Sequence, residues 1–411
     1  MPRLTRLARI VGHVAIALAW VGIVAWMRWR GLNYQWDLWP FYYGAKAWAS
    51  GLDPYSLEAL REVSGEEGDL WFRYPLITLY LFRPLTWFSY ETAWCIWLGL
   101  KLAALGGLLV VWRRIFLRDT DGLLMSFAIL LGFNAAVVYD VITGNKTTYE
   151  QLLLWLGFAA LVRGRLWHFS AATVAASLFN IFPAAFLGLL MGVQERKRGI
   201  IVMVCGIAVL VLLVIAPYAT QPELLGSMIG SNKFLAHETG TNSPSLMGFL
   251  FHCKLMWPMS VMASEHVRLI ALLMYISVII GFSVRPLLRA ARDGDIRYLI
   301  ILATVTYCAA MPRMMSYSYM LLIPPALLAI HYLWRDFAPR MLAVAIMSMP
   351  VRFLFEAPVP DAPALLEQLS IPGFIAYYPW LLALVLWGLY VSGRVKPTED
   401  KSDEGVIAAV Q

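Results

Sequence analysis

From Gly199 to Tyr218 the chain reads GIIVMVCGIAVLVLLVIAPY, without a single charged side chain. A helix needs about 20 such residues to cross the hydrocarbon of a bilayer. In lipid, backbone groups find no water, so a spanning segment must satisfy its own hydrogen bonds as a helix. Similar runs recur at Ile10–Met27, Thr92–Trp112, Gly122–Val138, Val267–Val284 and Gly373–Val391. The expected fold class is therefore all-α, a polytopic membrane protein of about twelve transmembrane helices. Composition agrees. Of 411 residues, 60% are hydrophobic and 14% charged, against about a quarter charged in a soluble domain.

Basic clusters set the expected orientation. Arg3, Arg6 and Arg9 precede the first run, and Arg113, Arg114 and Arg118 follow Trp112. Positive residues favour the cytoplasm, so both termini are expected there. Residues 28–91 then form one external loop and residues 219–266 a second. Residues 1–393 make a single polytopic domain, and the polar stretch 394–411 reads as a disordered cytoplasmic tail. Within the first loop, Pro75–Phe88 is apolar but too short to span, and is expected to lie in the interface. Trp167–Val193, with Asn180 and Pro183 near its centre, is expected to be a hairpin of two short helices. The net charge of +7 is spread between apolar runs and marks topology, so no nucleic-acid partner is expected. Four scattered cysteines form no CxxC pair and imply neither a disulfide framework nor a metal site.

The polar residues of interest gather in the external segments: Asp37, Asp53, Arg73, Asp140, Lys146, Lys233, His237, Glu238, Asn242 and Arg313. Loops with mixed polar residues are where function concentrates. Asp37 stands between Trp36 and Leu38, with Trp39 beyond. One reading makes it the N-cap of a helix beginning at Leu38, with Pro40 in the first turn and Gly51 closing it. The other makes it a general base, since partial desolvation raises a carboxylate's basicity. Asp53, before Pro54, reads as a turn residue. Lys101 sits in the middle of a span, where an ionisable group is functional by default.

Here the order of motifs resembles glycosyltransferase family 87. An Asp follows the first span, then come "FYYGAKAWASGLDPYS" and "FRYPLITLYLFRPLTWFSYETAWCIWLGLKLAAL". "TGNKTTYEQLLLWLGFAALVRGR", "NSPSLMGFL" and "YSYMLLIPPALLAI" are similar to later elements of the family. The sequence departs from the pattern at Asn145, where Gln is common, and at Asn180, where a Lys often precedes the hairpin proline.

The resemblance implies a GT-C membrane fold and inverting transfer of a sugar, mannose in the best-understood relatives. The donor would be a polyprenyl-phosphate sugar, the acceptor a glycolipid, and the active site extracytoplasmic, in the inner or plasma membrane of a bacterium. It implies Asp37 as the base. No cofactor is expected, because the lipid-phosphate sugar is a co-substrate, and no metal is expected. One carboxylate suffices when the leaving group is a phosphate, whereas glycoside hydrolases pair two to expel an alcohol.

The departing phosphate wants cations or donors. The candidates are Arg73, Lys233, His237 and Arg313, each with a plainer reading as an interfacial anchor or solvated loop residue. Candidates for the sugar or acceptor are Tyr42, Tyr43, Lys46, Tyr55, Asn145, Lys146 and Asn242. For the tyrosines the plainer reading is packing. The competing functional class is a lipid or sugar transporter. Transporters place ionisable groups at the midplane of repeated halves, whereas here only Lys101 and Asn180 lie deep.

Overall fold

A computed structural model describes residues 2–30, 35–65, 68, 70–231, 240, 242–256, 264–349 and 375–395. All regular structure among them is helical. The helices are α1 (Pro2–Arg30), α2 (Leu38–Ala49), α3 (Leu57–Ser64), α4 (Ile77–Phe82), α5 (Tyr90–Val111), α6 (Gly122–Thr143), α7 (Thr147–Val162) and α8 (Leu166–Phe179). They continue as α9 (Arg196–Ile215), α10 (Glu223–Ser231), α11 (Leu246–Met256), α12 (Glu265–Asp293), α13 (Ile296–Ala310), α14 (Ile323–Leu333), α15 (Phe337–Met347) and α16 (Tyr378–Val391). Tighter 3₁₀ segments run at Arg83–Trp87, Phe182–Gly192 and Ser316–Leu322. Among the described residues six helical stretches are long and apolar enough to cross a membrane, and further apolar helices are shorter.

Burial separates the spans into two kinds. Only 11% of the apolar window is buried in α1 and again in α12, but 67% in α6 and 72% in Ser316–Leu333. The outer helices expose Leu18, Val21, Leu273, Met274 and Phe282. Water would not tolerate so continuous an apolar surface, whereas lipid does. The inner helices α5 to α8, α13 and α14 pack on one another and hold the polar residues.

Two short helices stand where the sequence predicts them within Trp167–Val193, as α8 and Phe182–Gly192. The break falls at Asn180, whose backbone is extended. The apolar stretch Pro75–Phe88 forms α4 and the 3₁₀ segment that follows it. Trp87 is 78% exposed there, as an interfacial aromatic would be. The inner helix α6 is broken. Phe133, Asn134 and Ala135 all have positive φ, a conformation costly for residues with a Cβ. The surroundings over-determine it: Phe133 stacks on Tyr319 at 6.3 Å between centroids, and Ile323 and Met347 lie against Gly132.

One placement corrects the sequence reading. Asp140 belongs to no loop. It lies inside the last turn of α6 and is fully buried.

Candidate active site

The site is built where two chain segments cross. α6 ends at Gly144, which takes a φ of +73°. Gln35 lies directly on this glycine: a Cβ added at Gly144 would stand 2.5 Å from Gln35 Cβ and 2.8 Å from its Cα. Only glycine allows both the left-handed turn and this approach. The segment is then stitched down, since the Gln35 N–H donates to Ile142 O at 2.8 Å and the Asp37 N–H to Thr143 O at 2.9 Å.

α2 begins at Leu38, as the sequence implies, but Asp37 does not cap it. Its side chain makes no cap hydrogen bond, and its own backbone is helical, at φ −70° and ψ −17°. The carboxylate instead reaches across to the α6–α7 turn. Its Oδ2 accepts from Asn145 Nδ2 at 2.9 Å. No described residue donates to Oδ1.

Asn145 is itself fixed on every side. Its Nδ2 also donates to the Tyr317 hydroxyl at 2.9 Å. Its Oδ1 accepts from the Thr147 N–H at 3.2 Å and Thr147 Oγ1 at 2.8 Å. Those two donors decide which way the amide faces and leave its N–H₂ for Asp37.

Asp37 lines a cavity of about 450 Å³ together with Trp71, Arg73, Tyr74, Asn145, Lys146, Glu150 and Arg313, among others. Asp37 is half-buried. Burial pushes its pKa up from 3.8 to about 6. The Asn145 hydrogen bond and the charges of Lys101 and Lys146 pull the other way, and Asp140 adds to the rise. The result is a carboxylate ionised at neutral pH yet more basic than an exposed one, the property a general base needs.

Three cations share the cavity wall. Lys146 is buried, pairs with Glu150 at 3.4 Å and lies 4.8 Å from the Tyr74 ring centroid. Arg73 lies over Trp71 at 5.4 Å. Arg313 follows Pro312, just after α13, and also lines the cavity.

The other expected residues fall elsewhere. Tyr42 donates to Phe88 O at 2.7 Å, and Tyr43 packs against Trp39 and Tyr90. Tyr55 hydrogen-bonds Tyr74 O at 2.9 Å and shares a 2.8 Å hydrogen bond with the Tyr218 hydroxyl. Lys46 is exposed, beside the Tyr43 ring. None of these four lines the cavity. Asn242 sits behind its wall, accepting from Tyr139 at 3.1 Å, while Tyr139 stacks on Tyr317. Lys233 and His237 lie outside the described residues. Tyr317, Glu150 and Gln151 join the lining unannounced. For Glu150 a signal existed, since its spacing from Lys146 is that of a helical ion pair.

A half-buried carboxylate, one oxygen of which receives no hydrogen bond from a described residue, stands beside cations inside a helical membrane bundle: a base next to an anion-binding wall. The glycosyltransferase family 87 profile matches residues 71–312, more than half the chain. The chain belongs to that family and is a membrane glycosyltransferase. The transporter reading is not favoured. Asn145, Arg73 and Lys146 lie within the matched stretch, while Asp37 precedes it and Arg313 follows it. Searches among curated proteins and among solved structures return no match.

Proposed function

We propose that this glycosyltransferase moves one sugar, mannose by family resemblance, from a polyprenyl phosphate to a glycolipid acceptor, with inversion. The acceptor hydroxyl gives its proton to Asp37 Oδ1 as its oxygen bonds to the anomeric carbon. The bond from that carbon to the phosphate oxygen breaks, and the phosphate leaves with the electron pair. Arg73 and Arg313 take up the charge that develops there. Lys146, held by Glu150, adds positive potential at the same wall.

The observation that carries this reading is the open oxygen of Asp37 in a cavity lined by cations. An apolar groove of about 1020 Å³ supports the lipid character of the donor. It runs between Phe182–Gly192, α12 and α13, and shares Phe182, Tyr307 and Met311 with the cavity. A prenyl chain seated there would bring its phosphate to the cavity mouth. The charge pattern of the loops supports a site facing away from the cytoplasm, and the family resemblance implies a bacterial inner or plasma membrane.

The test incubates purified protein with a panel of polyprenyl-phosphate sugars and glycolipid acceptors, and reads the product by mass. Product formed from a polyprenyl-phosphate sugar and lost in Asp37→Asn supports the proposal. Full turnover in Asp37→Asn removes the base assignment.

A further inference from the structure

Lys101 is a fully buried cation that the transfer mechanism leaves unused. It stands on α5, and both it and Asp140 of α6 have side chains 0% exposed. Its Nζ lies 2.8 Å from Asp140 Oδ2 and donates to Asp140 O at 2.6 Å. It also donates to the backbone carbonyl of Asn145. An ammonium has three donors, and all three are spent on the last turn of α6 and the turn that follows it.

Asp140 in turn serves α7. Its Oδ2 accepts from the Thr148 N–H at 3.3 Å and from Thr148 Oγ1. The first amides of a helix lack partners in their own helix. Here Asn145 Oδ1 takes that of Thr147 and Asp140 takes that of Thr148. The pair thus ties the backbone of Asn145 to α5 and the start of α7 to α6. Between those ties hangs the Asn145 amide that donates to Asp37.

A buried ion pair is weak evidence for stability, because an apolar pair of similar volume often does as well. Three backbone attachments at one turn, two carbonyls and an N–H, are more than stability alone would ask. We infer that Lys101 and Asp140 are positioning residues of the transfer reaction, pinning the Gly144–Lys146 turn so that Asn145 holds Asp37 in its reactive orientation. This inference rests on the reading of Asp37 as the base.

The first test needs no substrate. Hydrogen exchange read by mass spectrometry compares the full chain, in lipid nanodiscs, with Lys101→Met. The expected result is exchange at least about tenfold faster at residues 145–148, with the rest of α7 and α5 unchanged. Unchanged exchange at the turn overturns the inference. Should Lys101→Met unfold, the neutral pair Lys101→Gln with Asp140→Asn replaces it. A glutamine amide has two N–H donors where the ammonium has three, so at least one attachment is lost and the turn must loosen there too. Wild-type protection in the folded double variant also overturns the inference.

The second test uses polyprenyl-phosphate mannose as donor and a total glycolipid extract as acceptor. Lys101→Met is expected to lower kcat by about 10- to 100-fold, with KM within about twofold, as misplacement of a catalytic group does. In an Asn145→Ala background the same substitution costs less than about threefold, because the group it positions is gone. Additive losses would mean that Lys101 does not act through Asn145. Asp37→Asn is measured alongside. If it turns over normally the base reading fails, whatever the cycle shows. If it is inactive and the cycle is additive, only the positioning role fails.

Discussion

Two acids follow the first span, each just ahead of a short helix, and they are used in opposite ways. Asp53 folds back on its own neighbourhood. Its Oδ1 accepts the Tyr55 N–H at 2.9 Å, the local turn expected of an Asp before Pro54. Asp37 forgoes the local bond. Its carboxylate accepts from Asn145, 108 residues along the chain, and no described residue donates to its other oxygen. An Asp at a helix start normally gains from capping. Where that gain is declined, and distant groups hold the carboxylate at a cavity wall, availability for chemistry is what the arrangement provides. Asp53 is spent on structure, and Asp37 is kept in reserve.

The largest effect that would break this contrast comes from Asp37→Asn. The amide keeps the shape but takes no proton, so turnover should fall about 10³-fold, within the range a general base supplies. The same variant probes cost. Because the folded state raises the Asp37 pKa to about 6, it binds this proton more tightly than the unfolded chain. Stability from this group is therefore present below pH 3.8 and lost as pH rises toward 6. Asp37→Asn should raise the unfolding temperature at pH 8, with the gain vanishing near pH 4. A variant less stable than wild type at pH 8 would contradict the desolvated carboxylate.

Gly144→Ala comes next. The added methyl would meet Gln35 at 2.5 Å, and the turn's φ of +73° strains any residue with a Cβ. The Gln35–Asp37 segment must lift, and a shift of about 1 Å at a catalytic group costs about 10²-fold. Turnover in membranes checks this, alongside an unfolding scan that should also drop. Wild-type turnover would show that the crossing of the two segments does not position Asp37.

Asn145→Ala removes the Asn145 hydrogen bond to the Asp37 carboxylate, a bond that lowers its pKa. The acid limb of the rate profile, expected near pH 6 in the wild type, should move to higher pH. Turnover at pH 7 should fall about tenfold, from the protonated fraction and from lost orientation. A limb that stays in place or moves to lower pH would detach Asn145 from the base.

The contrast between the two acids was only half legible in the sequence. Apolar runs and arginine clusters announce the spans, and Leu38, Pro40 and Gly51 bound α2 as local rules require. Asp53 was equally readable, because an Asx turn depends on its immediate neighbours. Of the two readings of Asp37, the cap fails for the same reason: local rules see only the helix it precedes. Its partner lies beyond two further spans, and nothing in the spacing of Asn145 announces the meeting. Lys101 advertised a need for a counter-charge. Finding Asp140 required knowing which face of α6 turns toward α5, which packing alone decides. Tyr317 is one of 19 tyrosines, and no local signal separates it from the others that merely fill space.

The smallest effect falls on the other acid. Asp53→Ala removes the bond to the Tyr55 N–H, a half-buried local contact worth about 0.5–1.5 kcal/mol. Tyr55 is anchored independently, through Tyr74 O and the Tyr218 hydroxyl, so α3 and the wall at Tyr74 should stay in place. The expected outcome is a modestly lower unfolding temperature with turnover within about twofold of wild type and an unshifted pH profile. A tenfold loss of turnover in this variant would sink the division of labour, because it would mean that the loop beyond α2 reaches the chemistry after all. A small, purely thermal effect would instead confine the chemistry of this loop to the acid that declines its cap.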